Sequence, residues 1–213
     1  MTRPRVLLAD DHKIVTEGLR SLLDPEFELV GIVEDGRALV AAAKKLNPDV
    51  IVADISMPLL NGIEAVRQLK KAGMRAKVIF LTMHPDVAYA TRAFEAGASG
   101  FILKHSASSE LLAAIREALR GRTYITPMIA KDLMQAYKGG SQRRQKAAPH
   151  LTPRQREVLQ LVAEGHSAKE IASVLSVSAR TVEFHKYRMM EELNLRSVAE
   201  LIQYAIKEGI ASV

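Results

Sequence analysis

The chain has 213 residues, 48% hydrophobic and 25% charged, with no cysteine. That is enough for one large or two small cores and too apolar for a disordered segment, and disulfides and thiolate metal sites are excluded. The net charge of +6 hints at nucleic acid, but residues 1–128 carry 17 basic against 15 acidic side chains, residues 129–150 carry 5 against 1, and residues 151–213 carry 8 against 8, so the excess sits largely between two near-neutral parts.

Met1-Thr2-Arg3-Pro4-Arg5 is not a signal peptide, and no apolar stretch is long enough to span a bilayer. The expectation is a soluble cytoplasmic protein with no membrane partner. Short aliphatic runs at 6–9, 29–33, 50–53, 78–81 and 101–103 read as buried strands. Helical spacing separates them, as in Ile14, Val15, Leu19, Leu22 and Leu23, and again in Leu112, Ile115 and Leu119. Gly73, Gly97 and Gly121 stand where helices should end. Strands alternating with helices predict a five-stranded parallel, doubly wound α/β sheet over residues 1–128. Residues 129–150, basic and glycine-containing at their centre, read as a linker.

From 151 to 213 the pattern is helical only, with helices expected at 153–164, 168–175, 179–193 and 198–208. Thr152 with Gln155, Ser167 with Glu170 and Ser197 with Glu200 have capping-box spacing, and Ser178 is a cap without an acid three residues on. The helix at 168–175, a short turn and the helix at 179–193 form a helix-turn-helix pattern, whose second helix would enter a major groove. A plain helical bundle fits the periodicity equally well, because Ile171, Leu175, Val177, Val182, Met189 and Leu193 all read as core.

The first part ends its strands on chemistry. Asp10 and Asp11 follow the first run, Asp54 the third, Thr82 the fourth and Lys104 the fifth. In a parallel sheet those ends share one edge, where ligands bind. Singly, each has an ordinary explanation: an aspartate or threonine that caps a helix, a solvated lysine. Together, three carboxylates would repel, by about 4 kcal/mol per pair at 4 Å and an effective dielectric of 20. A divalent cation such as Mg²⁺ would offset that. Metal, lysine, hydroxyl and a carboxylate nucleophile suit phosphoryl transfer, with Asp54 on a central strand as the acceptor. His12 and His84 are read as exposed loop residues.

The segments LLADDHKIVTEGLRSLL, PDVIVADISMPLLNGIEAVRQL, VIFLTMH and AGASGFILKHSASSELLAAIREALRG resemble the receiver domain of bacterial two-component response regulators, over residues 4 to about 128. The resemblance implies a flavodoxin-like fold and a phosphoryl group passed to Asp54 from a sensor histidine kinase. It implies Mg²⁺ held by Asp11, Asp54 and the Ser56 carbonyl with help from Asp10, Thr82 and Lys104 on the phosphoryl oxygens, and Phe101 as an aromatic switch moving with Thr82. His105 stands where proline often follows the lysine, which puts a cis peptide there in doubt.

The sequence LTPRQREVLQLVAEGHSAKEIASVLSVSARTVEFHKYRMMEELNLRSVAELI resembles the LuxR-type DNA-binding domain, over residues 151 to 208, and the whole chain the NarL/FixJ class. This implies double-stranded promoter DNA as a partner, a homodimer when phosphorylated, and no enzyme beyond self-catalysed phosphoryl transfer and slow dephosphorylation. Lys169, Ser178, Arg180, Thr181, Glu183, Phe184, Lys186, Tyr187 and Arg188 form the implied DNA surface. Glu183 and Glu192 stand where lysine is common; Glu183 either reads a cytosine amino group or weakens the site and makes it more selective. Two other readings stay open: an aspartyl phosphatase, against which Ser56 stands where a second acid is wanted, and a receiver whose helical tail binds protein or RNA.

Overall fold

The structure, a computed structural model, describes residues 2–138 and 151–211, with side chains of the first stretch described to 134. It divides into two compact units. The first runs β1 (Arg5–Ala9), α1 (Lys13–Leu23), β2 (Glu28–Val33), α2 (Gly36–Leu46), β3 (Val50–Asp54), α3 (Gly62–Lys71), β4 (Lys77–Thr82), α4 (Val87–Glu95), β5 (Gly100–Leu103), a 3₁₀ turn Lys104–Ser106, α5 (Ala107–Leu119), β6 (Tyr124–Ile125) and α6 (Pro127–Lys138). The sheet order is β2-β1-β3-β4-β5-β6, and every neighbouring pair is parallel.

Strand alternation divides the core in two. Leu7, Ala9, Ile51, Ala53, Val78, Phe80, Phe101 and Leu103 share one cluster with residues of α2, α3 and α4. Val6, Leu8, Val50, Val52, Ile79, Leu81 and Ile102 share the other with residues of α1 and α5. Gly73, Gly97 and Gly121 end their helices at φ of +83°, +97° and +79°, in the left-handed region expected of them.

Two expectations need correction. The sheet has six strands, not five, because β6 adds a two-residue edge strand beside β5; two residues carry no periodic signal. The linker expected from 129 begins instead as helix, since α6 runs from Pro127 to Lys138. Thr126 precedes it with proline at the first helical position, a start signal hidden by the linker composition that follows. Residues 139–150 of that expected linker lie outside the described residues.

The second unit is α7 (Pro153–Ala163), α8 (Ala168–Leu175), α9 (Ala179–Glu192) and α10 (Val198–Lys207), each within a residue of its expected span. Thr152 with Gln155 and Ser167 with Glu170 form complete capping boxes. The third is incomplete: Ser197 accepts from the Glu200 amide at 3.2 Å, but the Glu200 carboxylate accepts from Arg196 N–H at 2.8 Å instead. Ile171, Leu175, Val182, Met189, Leu201 and Ala205 are buried.

Candidate functional site

Three side chains that the sheet delivers to its C-terminal edge meet in one ionic cluster. Lys104 Nζ lies 2.7 Å from Asp54 Oδ2 and 2.8 Å from Asp10 Oδ2. Asp10 is fully buried, Asp54 is 3% exposed, and only 6% of the Lys104 side chain is reached by solvent. Parallel register explains the meeting: Ala9 pairs with Ala53 and Asp54 with Leu81, so the strands end level. Asp54 continues the face of Val50 and Val52, the side covered by α1 and α5.

Local turns aim the acids. Asp10 Oδ1 accepts from His12 N–H at 3.0 Å. The His12 ring, expected only as a loop side chain, places Nδ1 3.2 Å from Asp10 Oδ1 and 2.9 Å from Asp11 Oδ1. An Asp-Asp-His run ahead of a helix was the available signal: His12 is the α1 N-cap, and its side chain makes no capping bond, which leaves it to turn toward the acids. The Ser56 N–H donates to Asp54 Oδ1 at 3.3 Å. After Asp54 the chain turns through Leu59 at φ +63°, then enters α3 at Asn61, which caps the Glu64 amide at 2.9 Å. The Asn61-Gly62 pair is therefore a helix start. A Cβ on Gly62 would fall 2.0 Å from the Asp54 carbonyl oxygen, so only glycine lets α3 approach so closely.

Charge is finely set here. Burial, opposed by the Lys104 ammonium, raises the Asp54 pKa. For Lys104 burial is the largest single influence and favours the neutral amine, yet the Asp54 and Asp10 carboxylates outweigh it and raise its pKa. The buried Asp10 Oδ2 receives no aligned hydrogen bond despite the nearby ammonium. Asp10, Asp11, His12 and Asp54 each offer a ligand atom, all within 4.8 Å of one another. The clustered carboxylate oxygens of Asp10, Asp11 and Asp54 are hard ligands that fit Mg²⁺.

Thr82 and Phe101 do not join this cluster. Thr82, fully buried at the end of β4, continues the face of Val78 and Phe80, and its hydroxyl accepts from His84 N–H at 3.0 Å. His84 is exposed and stacks on Tyr89. Phe101 lies on the same face as Thr82, fully buried. Lys104 opens the 3₁₀ turn, and no described peptide bond is cis.

Thr126 was missed. Its N–H donates to the Phe101 carbonyl at 3.0 Å. Its Oγ1 accepts from Leu103 N–H at 3.2 Å and donates to Glu110 Oε2 at 2.8 Å. This one residue pins the strand that leads into Lys104, the first turn of α5 and the start of α6. A threonine before proline signals a cap, but its partners on β5 and α5 depend on the folded sheet.

In the second unit, α9 buries Val182 and Met189 and exposes Arg180, Phe184, Tyr187 and Arg188. Ser178 caps it, accepting from the Thr181 amide at 3.0 Å, with the two hydroxyls 2.8 Å apart. Lys186 Nζ pairs with Glu183 at 2.6 Å and Arg188 Nε with Glu192 at 2.8 Å. The Arg188 guanidinium, with the Gln155 amide, holds the Glu192 carboxyl below the usual range. Lys169 and Arg180 are exposed and in no ion pair among the described residues.

A parallel sheet with an acid–lysine cluster at its edge, followed by a helix-turn-helix unit, defines a signal-receiving regulator joined to a DNA reader. Residues 6–116 match the family described as "Response regulator receiver domain" and residues 149–205 the family "Bacterial regulatory proteins, luxR family". The chain is 33% identical to the transcriptional regulatory protein DegU of Brevibacillus brevis, over 98% of this chain and 95% of that one. It is similar to the response regulator RcsB of Salmonella typhimurium, at 30% identity and a TM-score of 0.60 over 96% of this chain and 98% of that one. A structure of two RcsB dimers bound to two parallel DNAs matches at 29% identity and a TM-score of 0.60, over 95% and 98%. The protein belongs to the response regulators of the NarL/FixJ class, a receiver domain followed by a LuxR-type helix-turn-helix, and it regulates transcription.

Proposed function

We propose that this regulator is switched by phosphorylation of Asp54 from a sensor histidine kinase, and that the phosphorylated form dimerises and binds promoter DNA. The observation that carries the reading is Lys104 Nζ held between Asp54 and Asp10 at 2.7 and 2.8 Å. An Asp54 carboxylate oxygen attacks phosphorus, the N–P bond of the phosphohistidine breaks, and the imidazole leaves with the electron pair and takes up a proton. Lys104 then bonds the phosphoryl oxygens. Bound by Asp10, Asp11, Asp54 and the Ser56 carbonyl, Mg²⁺ would supply positive charge against those oxygens. No described helix is long and apolar enough to cross a membrane.

The readout follows from placement. Thr82 and Phe101 share a sheet face, so Thr82 turning from His84 N–H toward the phosphoryl group frees space on the side where Phe101 sits. The phosphoryl group adds nearly two negative charges and acts only through its different interaction with two states. Residues 139–150 tether the units. Lys169, Ser178, Arg180, Thr181, Glu183, Phe184, Tyr187 and Arg188 face the groove and its phosphates, with Lys186 beside them on α9, paired with Glu183. Val198 and Ile206, each 40% exposed on α10, pair two DNA-binding units on a two-fold operator.

The test loads the chain with acetyl phosphate and Mg²⁺ and measures mass, oligomeric size and promoter binding together. Wild type is expected to gain one phosphoryl group, shift to dimer and bind more tightly; Asp54→Asn is expected to do none of these. Identical dimerisation and DNA binding by wild type with and without the donor would overturn the switch.

A further inference from the structure

The exposed ridge of α9 carries an acid at its centre. Arg180, Glu183, Phe184, Tyr187 and Arg188 fall at spacings of three and four residues, one stripe of a helix, opposite the buried Val182 and Met189. Glu183 closes on Lys186 one turn on, with Nζ 2.6 Å from Oε2 and 2.8 Å from Oε1. The Lys186 ammonium also lies over the Tyr187 ring, 5.4 Å from its centroid, so the lysine is held against its own helix on two sides. Its side chain is 19% exposed, that of Glu183 36%.

We propose that Glu183 is a specificity-determining residue, acting through this pair in two linked ways. It withholds Lys186 from the phosphate backbone, which removes sequence-independent affinity. It also brings to the groove a carboxylate that phosphates repel and that a base-edge donor, the cytosine amino group, satisfies. The remaining unpaired cations named for this surface, Lys169 and Arg180, anchor the backbone. The net-neutral composition of residues 151–213 agrees with a reader whose affinity comes less from bulk charge than from matched contacts. This inference rests on the DNA-binding reading and deepens it.

The test uses the full chain and fluorescence anisotropy on a random-sequence duplex across a salt series, with site selection from a randomised duplex pool. Glu183→Gln is expected to bind the random duplex several-fold more tightly, and the slope of log affinity against log salt to steepen by about 0.9, the value for one added phosphate contact. Lys186→Met is expected to keep the wild-type slope, and the double variant to return to it. Wild type is expected to select a C·G pair at a position where Glu183→Gln no longer selects it. An unchanged slope in Glu183→Gln, a slope flattened by about 0.9 in Lys186→Met, or identical selected sites would each overturn the proposal. A Lys169→Ala/Arg180→Ala variant separates the underlying reading: it should flatten the slope by about 1.8. If wild type binds neither the random duplex nor any member of the pool even at low salt, DNA binding itself is refuted and the role of Glu183 falls with it.

Discussion

Lys104 shares its ammonium between two buried carboxylates, and its removal leaves both without that counter-charge. Lys104→Met is expected to destabilise the metal-free protein by about 3–5 kcal/mol, the usual cost of breaking a buried pair, measured by urea unfolding in a chelator. Asp54→Asn should cost much less, because Lys104 keeps Asp10. Mg²⁺ should restore more stability to Lys104→Met than to wild type, since it replaces the lost positive charge. Gly62 gives a steric prediction at the same site. Gly62→Ala drives a Cβ toward the Asp54 carbonyl and is expected to cost about 1–3 kcal/mol and to slow phosphorylation by acetyl phosphate. Gly18, in the middle of α1 with nothing within 4 Å of a built Cβ, is the control: Gly18→Ala should stabilise by about 0.5–1 kcal/mol.

Among the elements, β6 and the start of α6 tie the acid–lysine side of the receiver to the chain leading out of it. Thr126→Val removes the hydroxyl that accepts from Leu103 N–H and donates to Glu110. The stranded buried amide should cost about 1–3 kcal/mol, read as a lower urea midpoint and faster hydrogen exchange at the Leu103 amide. Unchanged exchange would show that the bond contributes nothing. Why the helices were legible and this edge was not follows from the range of the signals. Capping boxes at Thr152 and Ser167 span three residues, so the sequence alone contains both partners. The Ser197 box failed because Arg196 N–H competed for the same carboxylate, a choice between neighbours that spacing does not settle. The bonds of Thr126 to β5 cross 23 residues to Leu103.

Over the whole molecule, the chain divides into two compact units, and the second presents its own surface. The α10 stripe divides on burial: Leu201 and Ala205 belong to the core, whereas Val198 and Ile206 are each 40% exposed. Val198→Glu or Ile206→Glu is expected to change unfolding stability by less than about 0.5 kcal/mol, as exposed substitutions do. Either should weaken dimerisation of the phosphorylated chain on DNA by about tenfold or more, roughly 1.4 kcal/mol, read by sedimentation of the complex. A full loss of folding would instead place those residues in the core.

The residues alone were enough for the alternation of buried strands and helices, and for the two-part organisation. They were also enough to mark Asp10, Asp11, Asp54, Thr82 and Lys104 as one set, because each follows a strand run and parallel strands end on one edge; the structure brings all but Thr82 together. Periodicity and capping act within a few residues, so they can be read along the chain. The fold alone decided which atoms face one another: His12 turned onto the two acids, Thr82 held on the opposite sheet face by His84 N–H, and Thr126 joining three elements. It also decided that Lys186 is spent on Glu183. The Thr126 bonds depend on strand register across distant segments; the choices of His12, Thr82 and Lys186 are made among near neighbours by rotamer and by competition for hydrogen bonds, which spacing does not settle.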